Sequence, residues 1–117
     1  MIGDEGCQAI ASNAFPALDT LWISFNKISP EGIKNFMKKD WSQLKILHVS
    51  ANHIGSEGAK ILASGNWPNL EILQIFDCDL GNEGVEAIIT NKWPAIVRLH
   101  LCIFLFIKQI IKLTIKA

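Results

Sequence analysis

Superposing the 117-residue chain on itself at an offset of 26 brings seven columns of like residues into register over four copies, with no insertion between them. One column is Ile2, Ile28, Ile54 and Leu80; two others are Glu5, Glu31, Glu57, Glu83 and Gly6, Gly32, Gly58, Gly84. Phe15, Trp41, Trp67 and Trp93 form an aromatic column, followed by Leu18, Leu44, Leu70, Ile96, then Leu21, Leu47, Leu73, Leu99, then Ile23, Val49, Ile75, Leu101. A fixed period of this length makes each copy one supersecondary unit that cannot bury its apolar face alone, so the copies must stack.

Each copy has two halves. In "LEILQIFDC", residues 70–78, the inward apolar positions alternate with period two, as a half-buried strand requires. In the other half Ile33, Phe36 and Met37, and likewise Ala59, Leu62 and Ala63, recur at i, i+3 and i+4 on one helical face. The column Gly3, Ser29, Gly55, Gly81 holds residue types accepted at an N-cap, Pro30 stands at a plausible first helical position, and the glutamates fall in the first turn, where the helix dipole favours them. Gly58 costs the helix about 1 kcal/mol relative to Ala. Its recurrence in every copy predicts a close backbone approach that a Cβ would block.

These residues resemble the leucine-rich repeats, and within them the ribonuclease-inhibitor-like and GALA-type forms, whose repeats look like L-x-x-L-x-L-x-x-N-x-I-G-x-x-G-A-x-x-L-A. The match is closest over 44–63, "LKILHVSANHIGSEGAKILA", and extends from residue 1 to about 102. The resemblance implies an α/β solenoid, curved, with a parallel sheet on its concave face and helices on its convex face. It also implies a ladder at Asn26 and Asn52, whose amides bond the backbone of adjacent turns, with Cys78 as an accepted replacement. The repeat breaks after Cys102: Phe104, Phe106, Ile107 and Ile110 stand where the motif residues were due. The expected division is therefore 1–102 as a solenoid of about four repeats and 103–117 as a hydrophobic, basic tail.

A partner would meet the outward strand positions. They form a central column of Trp22, His48, Gln74 and His100, flanked by Thr20, Ile46, Ile72, Arg98 on one side and Ser24, Ser50, Phe76, Cys102 on the other. Phe25, Ala51, Asp77 and Ile103 fall at the strand ends. Aromatic and Arg anchors dominate protein interfaces, so Trp22, His48, Gln74, His100, Phe76 and Arg98 are the candidate partner-binding residues. The competing reading is that single exposed aromatics are ordinary. His48 and His100 sit two strands apart, roughly 10 Å, too far to share one zinc ion. The aromatic column could be a stacking platform for bases or sugars, but identical large residues at each helix-to-strand turn favour a core ladder. Helix-dipole partners account better for the glutamates than acid–base chemistry does, and no phosphate loop, nucleophile elbow or metal-ligand spacing is present. No enzyme, cofactor or metal is expected.

Charge narrows the partner class. Eleven basic and eleven acidic residues leave no net field toward nucleic acid. Three dispersed cysteines and no amino-terminal h-region fit a reducing, cytoplasmic setting. The tail places Lys108, Lys112 and Lys116 at i, i+4 and i+8 beside isoleucines, compatible with a membrane surface. A degenerate cap or the ragged end of a longer array is the favoured account, since the chain also begins inside a repeat, and uncapped ends would invite self-association. The expected function is non-catalytic protein binding through the concave strand face. The alternatives are a fragment of a larger receptor, such as a ubiquitin-ligase substrate-recognition subunit or a cytosolic sensor, and a peripheral membrane protein held by its tail.

Overall fold

Four helices alternate with four strands in the computed structural model, which describes residues 3–12 and 18–101: α1 (Gly3–Ser12), β1 (Thr20–Trp22), α2 (Pro30–Phe36), β2 (Ile46–His48), α3 (Gly55–Ala63), β3 (Ile72–Gln74), α4 (Gly81–Thr90) and β4 (Arg98–His100). The strands form one parallel sheet in the order β1-β2-β3-β4. Thr20 pairs with Ile46, Ile46 with Ile72 and Ile72 with Arg98, so sheet partners are the residues that the self-superposition had aligned. Among the described residues helices touch only sequential helices, α1 on α2, α2 on α3 and α3 on α4, the nearest-neighbour pattern of a solenoid. Phe15, Cys102 and the tail 103–117 lie outside the described residues.

The core lies between the two layers. Leu47 and Leu73 on the strands, Val49 and Ile75 just beyond them, and Ile33, Phe36, Ala59, Leu62, Val85 and Ile88 on the helices are fully buried. The strands are only three residues long, but their ladder continues past them: Ile23, Val49 and Ile75 each donate an N–H to the next copy at 2.9 Å, to the carbonyls of His48, Gln74 and His100.

The asparagine ladder is present. Asn52 is 2% exposed, and its Oδ1 accepts the N–H groups of Asn26 and Ile28, both at 2.9 Å. Its Nδ2 donates to the carbonyls of Val49 at 2.8 Å and Ile23 at 3.1 Å, binding its own copy to the preceding one. Asn26 donates in the same way to Ile23 and Ser24 within its own copy. Cys78 takes over in the third copy, with Sγ 3.3 Å from the Val49 carbonyl.

The tryptophans are core. Trp41, Trp67 and Trp93 are buried, and each indole N–H donates to a carbonyl at the end of its own helix: Phe36 at 2.7 Å, Leu62 at 2.8 Å and Ile88 at 2.7 Å. One side chain thus fills the helix-to-strand corner and satisfies a carbonyl that every helix C-terminus leaves without an intrahelical donor.

The column Gly3, Ser29, Gly55, Gly81 departs from the N-cap reading. Gly55 and Gly81 have left-handed backbone, φ +66° and +64°, and the capping positions before them, Ile54 and Leu80, make no side-chain cap. The glycines turn the chain into the helix, and the Gly55 N–H reaches the Cys78 carbonyl beyond β3 at 2.9 Å. Ser29 does occupy the N-cap of α2 with Pro30 behind it, yet its hydroxyl donates to Asp4 of the preceding helix instead of receiving its own helix amides. Asp4 also accepts the Ser29 N–H at 2.8 Å, so this cap is a bond between copies.

The recurrent helix glycine behaves as its recurrence implied. A Cβ on Gly58 would lie 2.6 Å from Ile54 Cγ2 and 3.5 Å from Pro30 Cα; on Gly84 it would lie 3.1 Å from the Ser56 Cα of the neighbouring helix. At Gly84 the neighbouring helix backbone is the obstacle, whereas at Gly58 it is Ile54 just before the same helix, with the neighbouring helix at ordinary contact distance. Gly58→Val is expected to cost roughly 1–3 kcal/mol through overpacking, read as a lower midpoint in urea. An unchanged midpoint would show that Ile54 can move aside without cost.

Candidate partner-binding surface

The sheet face turned away from the helices carries the six candidate residues. The parallel register sets Trp22, His48, Gln74 and His100 side by side, one per strand, with Arg98 at the β4 end of the adjoining row Thr20, Ile46, Ile72. Neighbouring members stand about 4.8 Å apart. The strands therefore deliver side chains 26 positions apart in sequence to one continuous strip.

The strip is not uniform. Trp22 is 71% exposed and stacks on His48, ring centroids 4.3 Å apart at 27°. His48 and Gln74 are half-buried between their neighbours, whereas Arg98 and His100 on β4 are exposed. Phe76 is 43% exposed beyond the end of β3. The half-buried Ile46 and Ile72 give the middle of the face an apolar floor. His48 Nδ1 is buried and, among the described residues, finds no hydrogen-bond partner.

Two features escaped the pattern of alternation. Ser50, expected on the outward face, is buried: the chain has already left the strand there, and its Oγ accepts the Phe76 N–H at 3.1 Å. Phe25, 73% exposed, joins Trp22 at the β1 end with left-handed backbone, φ +61°. Ala51 and Asp77 share that conformation, at +57° and +59°, so the repeat itself imposes it. The signal was in the sequence: an Asp at one member of this column is the residue type that tolerates left-handed backbone, and a bulky aromatic there is costly.

The other candidates resolve as structure. Glu5, Glu31, Glu57 and Glu83 stand in the first turns of the four helices. Lys60 meets Glu83 at 2.9 Å across copies, and that hydrogen bond and charge hold the Glu83 carboxyl below the usual carboxylate range. His53, the remaining histidine, is exposed just past Asn52. Among the described residues no group of His, Cys, Asp and Glu could hold a metal ion, and no helix is long and apolar enough to cross a membrane. A cleft of about 160 Å³ beside Met37, Trp41 and Gly65 is smaller than the roughly 300–1,000 Å³ of sites that enclose small molecules.

Cys7 and Cys78 are free, buried thiols. Burial, reinforced by the Asp4 charge, raises Cys7 from 9.0 to about 11. Burial does the same for Cys78, opposed by N–H groups of Asn52 and Ala51 that favour its thiolate. Both are therefore expected to resist a thiol-specific reagent in the native protein at neutral pH and to react on unfolding. The folded state keeps protons that the unfolded state releases near 9.0, so stability falls as pH rises from about 9 toward 11. A mid-point in urea that held steady over that range would contradict the burial.

Comparison with known proteins agrees with the architecture. No curated protein matches the chain. The family model described as "Leucine Rich repeat" matches residues 18–37, 43–63 and 68–88, more than half of the sequence. Together with the alternating helices and parallel strands, these matches establish that the chain belongs to the leucine-rich-repeat family.

Proposed function

We propose that this chain is a non-catalytic module that binds a protein partner through its concave strand face, in the manner of ribonuclease-inhibitor-like repeats and in a reducing, cytoplasmic setting. Leucine-rich repeats generally mediate protein–protein interaction, which supports the class of function. The observation that carries the choice of face is the exposed Trp22, stacked on His48 and backed by the apolar floor of Ile46 and Ile72. A large, rigid aromatic held in place by a neighbouring ring loses little entropy when a partner covers it. The helical side offers instead exposed glutamates and a solvated ion pair, groups that are costly to strip of water.

A photo-crosslinking side chain placed at Gln74, in the middle of the strip, and another at Glu57, on the helical side, compare the two faces directly. A partner captured in cell extract from position 74 and not from 57 is the expected result. Capture from 57 alone would assign the interface to the helices.

A further inference from the structure

The strand face has a polarity along its length that names a chemistry for its partner. Its β1 end is aromatic: Trp22 and Phe25 are the most exposed large rings among the described residues, and the left-handed backbone at position 25 holds a phenylalanine where the repeat elsewhere places Ala51 and Asp77. Its β4 end is cationic. Arg98 is exposed, and among the described residues it pairs with no acid, although its N–H donates to the Glu71 carbonyl at 3.0 Å. The exposed Asp77 stands at the opposite margin, beyond the strand ends, and would repel an anion there.

Resting on the assignment of this face as the interaction surface, we infer that its partner is a polypeptide segment that lies diagonally across the four strands, with a bulky apolar side chain on Trp22 and Phe25 and a carboxylate on Arg98. An unpaired guanidinium on a sheet face is matched by a carboxylate, which it can hold with two parallel hydrogen bonds. Exposed aromatics are matched by an apolar side chain that they can cover. The spacing follows from the register. Trp22 and Arg98 are three strands and two residues apart, roughly 16 Å at about 4.8 Å per strand and 3.3 Å per residue. An extended segment crosses that distance in about five residues. Its recognition signature is thus a large apolar residue and an Asp or Glu separated by about five positions.

Selection of a random displayed peptide library against the full chain, repeated on Trp22→Ala and Arg98→Glu, tests this; both side chains are exposed, so neither change disturbs the core. The expected result is enrichment of an apolar residue with an acid at that separation. Synthetic copies should then lose measurable binding to Trp22→Ala and bind Arg98→Glu about tenfold more weakly, the scale of one charged contact. Selection on Arg98→Glu should bring up Lys or Arg in place of the acid. Enriched peptides that need Trp22 but carry no acid and ignore Arg98→Glu would overturn the bipartite partner and leave the face intact. Peptides indifferent to both changes would remove the face itself. No enrichment would rule out a linear segment, and a dimer by light scattering that Trp22→Ala abolishes would give the face to a second copy of this chain.

Discussion

Asn52→Leu is expected to cost about 4 kcal/mol. The figure comes from what each hydrogen-bond partner of Asn52 would have left. The carbonyl of Ile23 would keep the Asn26 amide, that of Val49 the Cys78 thiol, and that of Ser50 the Phe25 N–H. The N–H groups of Asn26 and Ile28 have Asn52 Oδ1 as their acceptor. Two amides that lose this acceptor, at about 1–3 kcal/mol each, set the cost, since a leucine, branched at Cγ as asparagine is and larger, leaves no hole for water. Against a total stability of about 5–15 kcal/mol, a loss of that size removes a large share of the folding free energy. Asn52→Cys supplies the control, because the chain already uses Cys78 at the equivalent position, where its thiol bonds the Val49 carbonyl of the preceding copy. Urea unfolding should rank wild type above Asn52→Cys and Asn52→Cys above Asn52→Leu. Equal midpoints for wild type and Asn52→Leu would mean that the ladder contributes no stability.

The same ladder shows where the fold was legible and where it was not. Sheet register was readable because in a parallel stack of equal repeats the aligned columns are the paired residues: Leu21, Leu47, Leu73 and Leu99 meet along the sheet. The tryptophan corner and the lack of room for a Cβ at Gly58 were readable for the same reason, since a requirement repeated in every copy leaves a column. The role of Gly55 and Gly81 was not, because glycine satisfies both an N-cap and a left-handed turn, and the choice rests on backbone angles that residue type leaves open. The Asp4–Ser29 bond was hidden by its uniqueness: the equivalent positions to Asp4 are Pro30, Ser56 and Asn82, so no column records it. On the strand face, alternation identified the rows correctly but ran one residue too far at Ser50, where the chain leaves the strand. Phe25 was passed over because a column of Phe, Ala and Asp has no shared chemistry. What its members share is the sign of φ.

Trp67→Ala should be as disruptive as the ladder change, at about 3–5 kcal/mol, the usual cost of truncating a buried aromatic. Trp67 is 3% exposed, its ring lies 6.4 Å from that of Trp93, and Gly65 passes close enough that a Cβ there would come within 3.0 Å of its Nε1. The space it leaves is bounded by two copies, so neither can collapse into it without moving the other. Trp67→Phe separates the contributions. It keeps a ring in the corner and loses the N–H donated to Leu62, whose carbonyl retains the Gly65 N–H at 3.2 Å, so about 1 kcal/mol is expected. Position in the array sharpens the test. Stability in a stack is the sum of each copy and its interfaces, and a defect in the third copy uncouples β4 and α4 from the rest. Trp67→Ala should therefore both lower the urea midpoint and broaden the transition, as the fourth copy unfolds ahead of the others. A single sharp transition at the wild-type midpoint would place the indole outside the core. A shifted but equally sharp transition would mean that the four copies fold as one unit, with their coupling stronger than one tryptophan corner.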